Sequence, residues 1–308
     1  MINYTNMKKL IIVLAAVCMA FSSLAAAEVS SDRYTTKDYN LKDFTGIVAS
    51  GIFEIEMVKS NNGKVSVTCP EVLEEYIVVR VSNGKLSLSM KQVPLKISRN
   101  FKNWNVTAKV AMPVFTSLTL SGAAKFECAD AFDIRDKDFR LDISGAAKAQ
   151  GLDIVARDLD MEMSGATSAT LRGDFENAKI EMGGAAKCEF EISADILNQE
   201  ISGAAKAYHT GEFARIDAEA SGAGVFSFKG AADVMEIEVS GAAKAEMARA
   251  TVNEVKASVS GASFCEVNAV KSLQVEASGA SSLRYVDNDN LKLDIRSIGR
   301  GSSVTRMK

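Results

Sequence analysis

The sequence has little of the side-chain chemistry on which most enzymes depend. It holds one histidine, His209, and no metal-binding, phosphate-binding or nucleotide-binding motif. His209 occupies a position that is otherwise apolar in a repeat of the chain, which indicates a residue of the core or its rim. No motif places a serine and an acid to form a triad with it. We therefore predict no catalytic residue, no cofactor and no metal, and expect that the protein is not an enzyme.

The chain also lacks an excess of positive charge and, beyond its N-terminus, any long apolar run. Its formal net charge is −3, which argues against nucleic acid as a partner. No window after residue 27 contains about 18 consecutive apolar residues, so we expect no transmembrane segment in the mature chain.

The N-terminus has the order of a secretory signal peptide. Lys8 and Lys9 precede an apolar stretch from Leu10 to Leu24, and Ala25-Ala26-Ala27 offers a small-residue cleavage site. We assign residues 1–27 to a signal peptide. The predicted location is the periplasm, the outer-membrane surface or the extracellular space.

Export to an oxidising compartment makes the cysteines of the mature chain candidates for disulfides. Cys188 and Cys265 stand four repeats apart, or about 19 Å at one strand spacing per coil, which is too far for a disulfide. A bond between Cys69 and Cys128 remains open. We favour buried thiols that act as small apolar residues.

A repeated Ser-Gly-Ala motif organises the chain from residue 113 onward. Successive motif glycines are 23, 20, 19, 19, 19, 19, 20 and 18 residues apart. Apolar residues alternate with polar ones before and after each glycine, which predicts a β-strand on each side of the motif. Glycine permits backbone conformations that other residues avoid, so the motif itself is predicted to be a corner. The nine predicted structural corners are Gly122, Gly145, Gly165, Gly184, Gly203, Gly222, Gly241, Gly261 and Gly279.

A coil of about 19–20 residues is typical of an all-β, right-handed parallel β-helix, in which each strand pairs with its equivalent one coil along. We assign residues 113–296 to this β-helix and residues 297–308 to a C-terminal cap or tail. Residues 28–112 are predicted to be a β-rich region that caps or begins the solenoid. Within this region Pro70 predicts a short helical turn and Asn83-Gly84 predicts a hairpin.

Two charged columns follow from the alignment of the repeats. Lysines recur three residues after the glycine, and acidic residues recur three residues before it. We interpret the acidic column as a solvated surface, with the lysines offsetting a repulsion of about 0.8 kcal/mol per adjacent carboxylate pair. Alternatives are a ladder that binds calcium or a cationic surface, and an acidic cluster that acts on polysaccharide. The acidic column consists of Asp142, Glu162, Glu181, Glu200, Glu219, Glu238 and Glu276.

These features together resemble a known family. Phe44-x-Gly46-Ile47-x-x-Ser50-Gly51, the Asn-Gly hairpin and the serial Ser-Gly-Ala corners are similar to the putative auto-transporter adhesin, head GIN domain family, common in Bacteroidetes. The resemblance covers about residues 40 to 300. It implies a right-handed β-helix shaped like pectate lyases but without their catalytic residues, and a role in adhesion. It implies no active-site residues.

We therefore expect an exported, non-enzymatic β-helix that binds a cell-surface, glycan or envelope partner as an adhesin does. The alternatives are a polysaccharide lyase or hydrolase that uses the acidic column and a periplasmic structural or envelope component. The expected partner is a surface glycan or protein of unknown identity, and oligomer formation remains open.

Overall fold

β-Strands make up most of the described chain. A computed structural model describes residues 33–100 and 104–307, so the predicted signal peptide lies outside the described residues. This described part contains 24 strands joined in one sheet, a 3₁₀ helix (Glu71–Tyr76) and one α-helix, α1 (Leu95–Asn100). Neither helix in these ranges reaches the length and hydropathy needed to cross a bilayer.

The strands fall into four groups along the chain. The N-terminal group is β1 (Tyr34–Tyr39), β2 (Gly46–Gly51), β3 (Phe53–Lys59), β4 (Lys64–Pro70), β5 (Ile77–Ser82), β6 (Lys85–Met90) and β7 (Val106–Met112). The next group is β8 (Ser117–Gly122), β9 (Lys125–Cys128), β10 (Ala131–Ile134), β11 (Phe139–Ile143), β12 (Lys148–Ala156) and β13 (Asp158–Met163). The middle group is β14 (Ser168–Met182), β15 (Lys187–Ile201), β16 (Lys206–Ala220) and β17 (Val225–Val239). The C-terminal group is β18 (Lys244–Glu246), β19 (Thr251–Val259), β20 (Phe264–Val267), β21 (Ala269–Ala277), β22 (Ser282–Val286), β23 (Lys292–Ile298) and β24 (Ser303–Met307).

Parallel pairing between equivalent strands confirms the predicted β-solenoid, which has about 10 turns. In the pair β15–β16, Lys187 lies opposite Lys206 and Ile201 lies opposite Ala220, one coil along the chain. The pairs β14–β15 and β16–β17 keep the same offset. Each coil therefore supplies the backbone partners of the next.

The core runs along the inside of the stack, where the apolar residues of the alternating pattern point. Leu141, Met161 and Ile180 stack on successive coils and are almost completely buried. Near the N-terminal end the ring of Phe115 lies 5.6 Å from that of Phe126 and 5.3 Å from that of Phe139, measured between centroids. Full burial of such a side chain contributes about 1.5–3 kcal/mol.

The N-terminal region joins the solenoid directly. Strand β2 pairs in parallel with β8, and Gly51 lies opposite Gly122, so Ser50-Gly51 forms one more corner. Strands β6 and β7 follow later in the chain but pair in parallel with the other edges of β2 and β3. Antiparallel β5, β4 and β1 complete this end.

Two local predictions for this region are confirmed. The 3₁₀ helix begins directly after Pro70. The hairpin between β5 and β6 turns at Asn83 (φ 50°) and Gly84 (φ 68°), and two successive positive φ angles are typical of a type I′ turn.

The C-terminal segment keeps the path of a coil after the Ser-Gly-Ala motif has ended. Strand β23 pairs in parallel with β21, and β24 pairs in parallel with β22. Because no described coil follows, Leu293, Ile295 and Ile298 remain 39%, 41% and 50% exposed although they continue the inner columns.

Candidate functional site

The motif glycines form a continuous backbone ladder at one corner of the solenoid. All nine have φ angles between 64° and 77°, in the left-handed region that favours glycine. A Cβ atom added to Gly203 would lie 2.8 Å from the carbonyl oxygen of Gly184 one coil below. The amide of the following alanine, Ala204, donates to that same oxygen at 2.7 Å. The corner backbone is therefore occupied by contacts between coils.

The acidic column faces outward, with one carboxylate per coil except where Ser258 stands between Glu238 and Glu276. Glu181 pairs in register with Glu162 on one side and Glu200 on the other. Together with the motif serines, Glu162, Glu181, Glu200 and Glu219 line a shallow groove of about 230 Å³. A similar groove of about 180 Å³ continues along Glu238 and Glu276.

The carboxylates of this column stand side by side instead of converging. In the ranges that the structure describes, no group of three or more Asp, Glu, His or Cys side chains is arranged to hold a metal ion. Calcium takes six to eight oxygen ligands around one point, and a row with one carboxylate per coil does not supply that arrangement.

The lysine column does not neutralise the acidic column in the way that the sequence analysis expects. Lys125 pairs with Glu54 at 2.6 Å and Lys187 with Glu189 at 2.8 Å, both between residues that follow a corner. Glu181 instead pairs at 2.6 Å with Lys179, two residues earlier on its own strand. The expectation is wrong for these lysines because the corner separates the strands that carry the two columns.

The four described cysteines are buried free thiols: Cys69, Cys128, Cys188 and Cys265. The pair Cys69–Cys128, left open by the sequence, is not bonded. Burial raises the pKa of the Cys188 thiol well above its ordinary value and that of Cys265 to about 12. These thiols therefore behave as small apolar residues and are poor nucleophiles.

His209 lies in the core of the solenoid, where it cannot act as a surface base. Its ring is 1% exposed and stacks on Phe190 with centroids 4.3 Å apart. Its Nε2 lies 2.9 Å from Oε1 of the buried Gln199, whose Nε2 donates to the carbonyls of Ile180 and Glu200. Because the amide group of Gln199 donates elsewhere, its oxygen accepts from the Nε2–H of His209. Nδ1 has no hydrogen-bond partner.

Burial lowers the pKa of His209 to about 3, so the imidazole is neutral at physiological pH. Sequence reasoning placed His209 in the core or its rim but missed its partner. The available signal was Gln199 itself, a polar residue at a position that holds Leu141, Met161 and Ile180 in earlier coils.

A groove of about 760 Å³ lies on another face, after the glycine corner. We call it the Tyr208 groove. It extends from Cys128 to Lys229, and its lining includes Thr170, Arg172, Glu189, Glu191, Tyr208 and Thr210. Tyr208 is half-buried, and the amine of Lys187 lies 5.5 Å from the centroid of its ring.

Two ion pairs hold the polar side chains of this groove in place. Arg172 donates to one carboxylate oxygen of Glu191 from Nη2 at 2.7 Å and from Nε at 3.0 Å. Lys187 donates to Glu189 at 2.8 Å. Sequence analysis did not identify this groove. The available signal was the aromatic ring of Tyr208 at a position where other coils carry Glu127, Gln150, Thr170 and Glu189.

A third groove, of about 460 Å³, lies where the chain bends between the two halves of each coil. Its lining includes Asp174, Asp195, Glu212 and Asp233, with Phe213 almost completely buried beneath them. Its aromatic lining residues, Phe175 and Phe213, are buried, and it has no positive group in its lining, so the Tyr208 groove has the more varied chemistry.

Trp104 is the only tryptophan of the sequence. Its side chain is half-buried and packs against the core.

Comparison with known proteins gives a family and a set of similar folds. The family model described as "Putative auto-transporter adhesin, head GIN domain" matches residues 43–190 and 179–288. No curated protein matches the chain.

Several crystal structures from Parabacteroides are similar to this one. A putative adhesin from Parabacteroides distasonis ATCC 8503 is 17% identical with a TM-score of 0.50, covering 90% of this chain and 98% of that one. A putative adhesin from Parabacteroides merdae ATCC 43184 is 15% identical with a TM-score of 0.49, covering 90% and 97%. A putative lipid binding protein from Parabacteroides distasonis ATCC 8503 is 16% identical with a TM-score of 0.48, covering 90% and 98%.

At 17% identity, the likeness to the Parabacteroides distasonis putative adhesin supports the fold alone. The two family matches together span most of the described solenoid. The chain belongs to the putative auto-transporter adhesin, head GIN domain family.

Proposed function

We propose that the protein is an exported, non-enzymatic binding protein that attaches to a cell-surface, glycan or envelope partner. The family description, which names an adhesin head, supports this role. The N-terminal order of Lys8, Lys9, an apolar stretch and a small-residue cleavage site supports export.

One contrast carries the proposal. The polar side chains of the Tyr208 groove lie on the surface, whereas the histidine and the thiols are buried. The groove presents an aromatic ring, hydroxyl groups and charged side chains along the outside of a rigid stack of coils. The histidine, the residue most often used for proton transfer at neutral pH, is buried and neutral. The thiols are buried as well.

The acidic column favours binding over hydrolysis. When two carboxyl groups act as acid and base, their environments must differ so that one is protonated while the other is ionised at the same pH. Glu162, Glu200 and Glu219 instead occupy equivalent exposed positions in one column, with Glu181 on the coil between the first two. Glu181 differs from them by its half-burial and by its ion pair with Lys179, which favours the ionised carboxylate, so none of the four is set apart as a proton donor.

A binding assay with the mature chain, residues 28–308, tests this function. Fluorescently labelled protein is incubated with bacterial cells, isolated envelope fractions and mucin. We expect saturable binding to at least one of these surfaces, competed by unlabelled protein. Absence of saturable binding to all of them would overturn the proposal.

A turnover assay separates binding from catalysis. The mature protein is incubated with uronate-containing and neutral polysaccharides, and reducing ends and unsaturated products are measured. We expect no product. Product release that is lost in Glu200→Gln would instead establish a polysaccharide-active enzyme that uses the acidic column.

Surface accessibility separates adhesion from a periplasmic structural role. Intact cells are treated with protease, and the mature chain is followed by immunoblot. We expect degradation without cell lysis. Complete protection until the outer membrane is opened would favour the periplasmic alternative.

A further inference from the structure

The Tyr208 groove has the length and direction of a site for a chain-like ligand. Its lining comes from six successive coils, beginning at Cys128 and ending at Lys229. Five coil intervals at the strand spacing correspond to about 24 Å along the solenoid axis. Equivalent positions on successive coils line the groove without interruption, so it runs continuously along the axis, which suits an extended, chain-like ligand.

The charges that line the groove balance one another. Three positive residues, Arg172, Lys187 and Lys229, face three negative residues. The negative residues are Asp153, Glu189 and Glu191. Two of the three cations already donate to carboxylates, in the pairs Arg172–Glu191 and Lys187–Glu189. A ligand without net charge leaves this balance undisturbed.

Tyr208 supplies an aromatic surface in the middle of this polar lining. Lys187 lies over its ring, and the next coil places the small residue Ser227 opposite Tyr208 in the sheet. A pyranose ring has apolar C–H faces that stack on an aromatic ring and a rim of hydroxyl groups that need hydrogen-bond partners.

The partners for such hydroxyl groups surround Tyr208. Thr170 and Thr210 contribute side-chain hydroxyl groups that both donate and accept, and the carboxylates of Glu189 and Glu191 accept. The side chains of Arg172 and Glu191 are oriented by their two hydrogen bonds. Such polar groups around an apolar surface are typical of specific small-ligand sites.

We infer that the Tyr208 groove binds a neutral oligosaccharide chain along the solenoid axis, with Tyr208 as the stacking surface. This inference rests on the proposed binding function and specifies the ligand class for its groove. An anionic polysaccharide would have to displace Glu189 and Glu191 from their cations. A protein ligand would need a larger apolar surface than the groove offers.

Direct binding to defined polysaccharides tests the inference. Immobilised dextran, mannan and galactan serve as neutral probes, and polygalacturonate serves as the anionic probe. The mature protein is expected to bind at least one neutral probe and to bind polygalacturonate at least tenfold more weakly. Binding to polygalacturonate alone, or to none of the neutral probes, would overturn the inference.

Variants locate the binding on the protein. Tyr208→Ala is expected to weaken binding to the neutral probe about tenfold, in line with the loss of one aromatic anchor. Phe264→Ala is the matched control, because Phe264 is also half-buried on a strand after a corner, with the guanidinium carbon of Arg284 5.3 Å from its ring centroid. Phe264 lies outside the lining of the groove. Equal loss in both variants, or no loss in Tyr208→Ala, would refute the assignment.

A second variant guards against a folding defect. Thr210 is exposed, so Thr210→Val removes a hydroxyl group with little change in shape. It is expected to weaken binding threefold or more at an unchanged melting temperature. Unchanged affinity of a folded Thr210→Val protein together with unchanged affinity of Tyr208→Ala would place the ligand elsewhere.

The same variants separate this inference from the proposed function. If the protein binds cells or envelope fractions and Tyr208→Ala binds them equally well, the groove inference fails and the binding function stands. If the unmodified protein binds neither cells, envelope, mucin nor any polysaccharide, both fail. If protease treatment of the envelope abolishes binding, and the protein binds no polysaccharide, the partner is a protein and the neutral-glycan assignment is overturned.

Discussion

Replacing Gly184 by alanine should destabilise the solenoid, whereas the same replacement at the adjacent Gly183 should not. Gly184 is a motif glycine with a φ of 67°. A Cβ atom on it would lie 2.8 Å from both the amide nitrogen and the carbonyl oxygen of Gly165 on the preceding coil. These are backbone atoms within the stack, so they cannot move away independently.

Two terms set the size of the effect. A left-handed backbone conformation costs a residue with a side chain about 1–2 kcal/mol. Forcing an extra methyl group into a packed region costs about 1–3 kcal/mol. We therefore expect Gly184→Ala to lower the free energy of unfolding by about 2–5 kcal/mol.

Gly183 is the matched control in the next position of the chain. Its added Cβ atom would meet the hydroxyl oxygen of Ser202 at 3.4 Å, an ordinary contact. All eight other copies of the motif carry serine here. Gly183→Ala should leave stability unchanged or raise it by up to about 1 kcal/mol, because alanine restricts the unfolded chain.

Urea unfolding followed by far-ultraviolet circular dichroism measures both variants. The midpoint for Gly184→Ala should fall clearly below that of the unmodified protein, and the midpoint for Gly183→Ala should not. Equal midpoints for the two variants would refute the argument that close backbone stacking requires glycine at the corners.

Three further outcomes follow from the buried polar groups. The pKa of His209 is about 3 in the fold and 6.5 as its ordinary value, so the unfolded chain binds the extra proton and stability falls as pH drops from 6.5 towards 3. Between pH 7.5 and pH 5 this contributes a loss of about 2 kcal/mol, which His209→Phe should remove in urea titrations at the two pH values. At pH 7.5, His209→Phe should lower the free energy of unfolding by about 1–3 kcal/mol, because it leaves the side-chain oxygen of Gln199 unpaired. Adding Gln199→Leu should recover most of this loss. Additive losses in this double-mutant cycle would contradict the pairing. Ellman's reagent should detect no thiol in the native protein and all four described cysteines after denaturation, and a smaller count that rises on reduction would reveal a disulfide.

Regular alternation made the coils of this protein predictable from the sequence. The apolar residues on both sides of Gly184 and Gly203 repeat with period two, which is the spacing of a strand with one buried face. The corner glycines have a stereochemical requirement that no other residue meets at equal cost. Where both constraints act, in β14 to β17, expected and observed pairing agree.

The N-terminal layers were not predictable in the same way. Strands β6 and β7 lie beneath β2 and β3, although they come later in the chain. A long segment that includes α1 and antiparallel strands therefore separates β3 from β8 in the sequence, although their layers are adjacent in the stack. Without a repeating motif, the sequence contains the strand and turn signals but not their spatial order.

Single departures from a column were the hardest features to interpret. Gln199 departs from an apolar column and proves to be the hydrogen-bond partner of His209. Tyr208 departs from a polar column and lies in the groove that bears its name. In both cases the residue type alone left several roles open, and only the neighbours on adjacent coils distinguish a core pair from a surface feature.

If the proposals above are correct, this solenoid binds its ligand through the Tyr208 groove and releases it unchanged. The most direct test is calorimetric titration with the neutral polysaccharide that binds best, followed by mass analysis of the recovered ligand. We expect saturable binding, about tenfold weaker in Tyr208→Ala, and a ligand of unchanged mass. Shortened or unsaturated fragments, or equal affinity of the two proteins, would contradict this expectation.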